Sequence, residues 1–157
     1  MNLAECFTKS NVIAELEATD KESAIREMVK QLASTRSLAK GQVAAVEKAI
    51  LRREELGSTG IGKGVGIPHA KVAGVEGTCG CFARSTRGIT FDALDGMPVY
   101  IIFMLVSSPD AVEPHLETLR RITALLKNAD ICLFLRRAKS QSEVADLLRE
   151  ADESLKV

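Results

Sequence analysis

Apolar residues recur along the chain with two different periods, and the switches between them mark out the elements. Val12 to Leu16 is short and partly apolar and reads as an initial strand. Thr19 and Glu22 stand at capping-box spacing, and Ala24, Ile25, Met28, Val29 and Leu32 then fall on one helical face. A second amphipathic helix is carried by Val43, Val46, Ile50 and Leu51 and ends by Leu56, with Gly57 as its stop. Cys79, Cys81 and Ala83 alternate with Gly80 and Phe82, as in a strand whose two faces differ. Met97 to Val106 is an almost unbroken, β-branched-rich apolar run, which predicts a central strand covered on both sides.

A third helix is predicted after Pro109, with Pro114 in its first turn, Leu116, Leu119, Ile122 and Leu126 as its buried stripe, and Asn128 at its end. Ser140 and Glu143 repeat the capping-box spacing ahead of Val144, Leu147 and Leu148, so a last helix closes the chain. There is no internal repeat and no linker. Strands interleaved with helices over residues 1–157 predict one α/β domain around a mixed sheet.

Composition narrows the function classes. Twenty-one Lys and Arg balance twenty-one Asp and Glu, so the chain has no net field with which to hold a nucleic-acid backbone or an anionic membrane. Its longest apolar stretch, Val99 to Val106, is far short of the roughly 20 residues of a spanning helix, which predicts a soluble, cytoplasmic protein. Cys6, Cys79, Cys81 and Cys132 sit among apolar neighbours, as suits reduced core thiols. Their spacing is poor for zinc, and no metal site is expected.

The densest chemical signal runs from Gly57 to Lys71, where five of the first ten residues are glycine. Gly57, Gly62 and Lys63 meet part of a phosphate-binding P-loop pattern, but Gly64 stands where a Ser or Thr should meet magnesium. A helix, not a strand, precedes the loop, and Pro68 interrupts the helix that should come after it, so a nucleotide site is not supported. His69 is the better candidate. A neutral imidazole is nucleophilic near neutral pH, glycines let main-chain N–H groups converge on an anion, and Pro68 stiffens the turn that presents the ring. A satisfied loop histidine among turn glycines would give the same residues, and both readings stay open at this level. His115 sits at a helix start, where added positive charge is disfavoured; it is either a neutral donor to an anion or an ordinary exposed residue. Arg53 belongs to the charged run Arg52-Arg53-Glu54-Glu55, normally a solvated face, but its guanidinium can bind a phosphoryl group bidentately. Lys63 and Lys71 flank the loop as weaker candidates.

Taken together, Arg53-Glu54, the run from Ser58 to Lys71 containing Gly66-Ile67-Pro68-His69, the segment Phe91 to Val99 and the segment His115 to Leu119 resemble IIA domains of the fructose/mannitol class of the bacterial phosphotransferase system. Ile131 to Leu148 resembles the C-terminal end of the same domain. Within the class, the Gly57 to Gly62 run is most similar to the nitrogen-regulatory type. The resemblance implies a mixed, mainly parallel sheet flanked by helices. It implies His69 as the residue that accepts a phosphoryl group from an HPr-type phosphocarrier, with Arg53 and His115 beside it. Gly64 and Gly66, through their main chain, with Lys63 and Thr59, are the expected phosphate contacts, and no cofactor is expected. The partners implied are the HPr-type carrier and either regulatory target proteins or the IIB component of a fructose/mannitol-type permease. An unphosphorylated regulatory binding module is the third reading.

Overall fold

The computed structural model describes residues 1–155. It is built around one long antiparallel ladder between β5 (Thr78–Ile89) and β6 (Val99–Ser107), running from Thr78 opposite Ser107 to Arg84 opposite Ile101, with an irregularity before Ile89 meets Val99. β1 (Val12–Ile13) pairs parallel to β5 on the outer side. On the other edge of β6 lie β3 (Val65–Gly66) and β4 (His69–Lys71), both parallel to it, and β2 (Gly60–Gly62) folds back antiparallel on β3. The sheet is therefore mixed. Among the described residues three of the five strand pairings are parallel, whereas the longest ladder is antiparallel.

Helices cover both faces. Side chains alternate across β6, so Ile102, Met104 and Val106 meet the layer formed by α2 (Lys21–Ser34) and α3 (Val43–Glu55), including Ile25, Met28, Leu32, Val46 and Ile50. Ile101, Phe103 and Leu105 point the other way, toward the short α1 (Leu3–Cys6), α4 (Val112–Leu125), α5 (Ala129–Arg137) and α6 (Gln141–Ser154). On that side Phe103 makes edge-on contacts with Phe7 and Phe82 at centroid distances of 5.3 and 5.0 Å. Gly80 has no side chain because the Phe7 ring fills the space a Cβ would need. No helix among the described residues is long and apolar enough to cross a membrane.

Several elements depart from the sequence reading. The N-cap of α2 is Asp20, which accepts from the Ser23 N–H, and not Thr19, whose carbonyl instead accepts from Thr90 N–H. Residues 129–137, beyond the expected last turn at Asn128, form α5 with Asn128 as its N-cap. The glycine-rich run, read as a loop, contains β2 and β3. In α4 the buried face is His115, Thr118, Ile122 and Leu125, so the stripe is turned by about one residue, and Leu116 is 39% exposed.

Candidate functional site

β3 and β4 lie end to end along one edge of β6, and the break between them is Ile67–Pro68. Proline has no N–H to give a neighbouring strand, but its carbonyl accepts from Leu105 N–H at 3.0 Å. Ile67 N–H donates to the Thr59 carbonyl at 3.0 Å. The chain is thus pinned on both sides of the break, and His69 emerges as the first residue after it. The ring is fixed by its own neighbour: Nδ1 lies 2.8 Å from the Ile67 carbonyl oxygen. A carbonyl only accepts, so a neutral imidazole held this way carries its proton on Nδ1 and leaves the Nε2 lone pair free.

His115 comes from α4 on the far side of the sheet edge, its ring centroid 5.8 Å from that of His69 and its plane tilted by 56°. It is 4% exposed. Its Nδ1 is 2.7 Å from Ser107 Oγ, which in turn lies 3.1 Å from Thr78 Oγ1. Burial, with repulsion from His69 and Lys71 behind it, pushes its pKa from 6.5 down to about 4, so the ring is neutral near pH 7. Helix-start electrostatics alone suggested the same charge state, but the dominant cause is desolvation, and the exposed helix-start alternative is overturned.

Arg53, in the last turn of α3, donates from Nη1 to the Gly57 carbonyl at 2.8 Å, which ties its guanidinium to the start of the glycine segment. Arg53, His69 and His115 line one open depression of about 800 Å³, walled by α3 and α4 with β4 as its floor. Leu116 and Leu119 form its apolar rim and Lys71 lies along it. The sequence reading missed this use of the two leucines, although their place on the first two turns of the helix bearing His115 was a usable signal.

The other expected phosphate contacts are elsewhere. Lys63 and Gly64 occupy the turn between β2 and β3, with φ of 58° and 78°, and line a separate hollow of about 440 Å³ with Val65, Ile101, Leu126 and Cys132. Val65 pairs with Ile101 and His69 with Leu105, so the strand register alone puts that turn roughly 13 Å along β6 from the histidine. The Gly64 carbonyl is taken by the Tyr100 and Ile101 N–H groups. Gly66 is buried beneath Phe91, whose ring would stand 3.0 Å from any added Cβ. Thr59 is buried, and both its N–H and its hydroxyl donate to the Glu54 carboxylate. These four residues build the hairpin behind the histidine and do not line its cavity.

Glu54 is the residue the sequence reading left on a solvated face. Its side chain is almost wholly buried, with Lys21 Nζ 3.6 Å from Oε2. The signal was available: Val46, Ile50 and Glu54 follow one another at intervals of four on α3.

Two neighbouring imidazoles and a guanidinium that share one open depression can hold an anionic group between them and offer it a ring nitrogen. The family model described as "Phosphoenolpyruvate-dependent sugar phosphotransferase system, EIIA 2" matches residues 5–151, and the chain belongs to that family. It is a phosphoryl-transfer component of the phosphotransferase system. Among relatives, a nitrogen regulatory protein of Bradyrhizobium diazoefficiens is 33% identical over 148 residues, covering 94% of this chain and 95% of its own length. The fructose-specific EIIABC component of Bacillus subtilis is 38% identical over 152 residues, which are 97% of this chain but only 24% of that protein. The crystal structure of nitrogen regulatory protein IIA-Ntr from Neisseria meningitidis superposes with a TM-score of 0.83 at 34% identity, covering 93% of this chain and 98% of the other.

Proposed function

We propose that the chain acts as a single IIA domain that accepts a phosphoryl group on His69 Nε2 from an HPr-type phosphocarrier and serves as a regulatory IIA of the nitrogen-regulatory type. One observation carries this reading: the Ile67 carbonyl holds Nδ1 at 2.8 Å, on a ring that lines an open depression shared with His115 and Arg53.

The transfer proceeds in line. The Nε2 lone pair forms the new N–P bond while the N–P bond to the carrier's histidine breaks, and that imidazole leaves with the electron pair. His69 keeps its Nδ1 proton throughout, so the developing ring charge is held against the Ile67 carbonyl and no proton is exchanged with water. In the tautomer that serves this step His115 accepts from the Ser107 hydroxyl at Nδ1 and donates from Nε2 toward the equatorial oxygens. Arg53 supplies the fixed positive charge. Donor and product are both phosphohistidines, so the equilibrium lies near unity and the step runs in both directions.

Incubation with phosphorylated HPr carrying labelled phosphate tests the reading. Label should appear on His69, be lost in acid and be stable in base, and be absent from His69→Ala. The same label persisting in His69→Ala overturns it. The regulatory assignment is supported by the 95% coverage of the Bradyrhizobium diazoefficiens protein; the 38% identity to the Bacillus subtilis component favours the alternative of a sugar-transport IIA. Transfer of label onward to a fructose-type IIB domain would decide for transport.

A further inference from the structure

The carboxylate of Glu54 is buried at the end of α3, where a helix face that packs in the core ordinarily carries an apolar side chain. Val46, Ile50 and Glu54 share one helical face, and the two leading members sit in the core. An ion pair there is costly to desolvate, and an apolar side chain of the same size is often neutral or stabilising in its place. What the carboxylate does is grip one residue. Both its oxygens face Thr59, accepting from the backbone N–H at 2.9 and 3.2 Å and from the hydroxyl. The Thr59 carbonyl then accepts from Ile67 N–H at 3.0 Å, and the Ile67 carbonyl lies 2.8 Å from His69 Nδ1. A second strap runs beside the first. Lys21, paired with Glu54, also lies 5.0 Å over the Phe91 ring, and that ring covers Gly66, the residue before Ile67.

We propose that Glu54, acting through Thr59, is a positioning residue for His69: it fixes the Ile67 carbonyl where it holds the proton on Nδ1 and so keeps Nε2 free. Glu54 touches neither the ring nor the depression. This rests on His69 being the phosphoryl acceptor. Its effect is geometric, since a displacement of the Ile67 carbonyl by a fraction of an ångström weakens the one contact that selects the tautomer.

Nitrogen NMR of histidine-labelled protein, above the pH at which the imidazoles protonate, reads which ring nitrogen carries hydrogen. The chain has two histidines, so a His115→Asn sample assigns the spectrum. His69 should be wholly the Nδ1–H form in the unaltered protein. In Glu54→Gln, and in Thr59→Val, which keeps the shape of the side chain without its hydroxyl, the Nε2–H form should appear and transfer from phosphorylated HPr should slow by about tenfold or more. Thr59→Ser should restore both. If Glu54→Gln does not fold, the two Thr59 variants decide. A folded Thr59→Val protein whose His69 keeps its Nδ1 proton overturns the assignment whatever its rate, and so does a displaced proton with an unchanged rate. Label found on a residue other than His69 in the unaltered protein would instead defeat the acceptor reading, and the tautomer comparison would still stand on its own.

Discussion

Burying His115 as a neutral ring should make the fold sensitive to acid in a defined window. The pKa is lowered from 6.5 to about 4, chiefly by desolvation. Above 6.5 the ring is neutral in both folded and unfolded chains, and the protein keeps its full stability. Between 6.5 and about 4 only the unfolded chain takes up the proton, so stability falls as pH falls; below about 4 both forms are protonated and the loss stops growing. Linkage makes the loss at about pH 5, relative to about pH 7, close to 2 kcal/mol from this one group. The comparison protein is His115→Asn, whose amide reaches Ser107 Oγ where Nδ1 now does but does not titrate. Urea unfolding of both proteins at the two pH values gives the difference directly. The unaltered protein should lose about 2 kcal/mol more than the variant, because the variant lacks only the titrating ring at this position. Parallel losses in the two proteins would refute burial as the cause.

Gly80→Ala places a Cβ 2.5 Å from Phe7 Cε1 and 3.0 Å from Cys6 Sγ, and urea unfolding should show a loss of about 1–3 kcal/mol. Gly41→Ala, with nothing within 4 Å, is the control and should stay within about 0.5 kcal/mol. Arg53→Ala removes a charge-assisted donor worth about 1.5–3 kcal/mol, so phosphoryl transfer from HPr should slow at least about tenfold with an unchanged unfolding midpoint; an unchanged transfer rate removes Arg53 from the site. Burial pushes the Cys6 thiol up to about 12 and Cys79 up to about 11, and raises Cys81 as well. A thiol reagent near neutral pH should therefore modify these three slowly until denaturant is added, and fast modification of Cys81 in the native protein would contradict its burial.

The fold was legible wherever a period ran long enough to declare itself. Met97 to Val106 named β6, and the stripe from Ala24 to Leu32 named α2, because each buries a continuous face. The glycine segment was misread for a physical reason. Glycines that cradle an anion and glycines that turn a hairpin under an aromatic ring look alike in sequence, since both roles need only the absence of a Cβ. Which role applies depends on Phe91 and Ala93, far downstream in the chain, which stand against Gly66 and Gly60. Glu54 was hidden by its neighbours: a run of two arginines and two glutamates reads as solvated, and only the helical phase inherited from Val46 and Ile50 separates the buried member from the exposed ones. His115 could be placed near His69 by resemblance alone, because a contact between β4 and α4 across the sheet edge leaves no local trace.

The site's charge is set by where its walls come from. α3 packs on one face of the sheet and α4 on the other, so the depression lies at the seam where the two helical layers meet the edge strand. Its ionic lining is Arg52, Arg53 and Lys71 against Glu55, an excess of two positive charges when both histidines are neutral. On the reading proposed above, a phosphoryl group on His69 would bring about two negative charges to that seam and cancel the excess. The unmodified face would on that reading attract an acidic partner surface, and the modified one would lose that attraction and present mainly the apolar lining of Leu56, Leu116 and Leu119. Leu56 is 86% exposed, so the apolar part of that lining is open to a partner. On the same reading, an acidic group placed to meet Arg52 and Arg53 is what would let a partner tell the two states apart by charge.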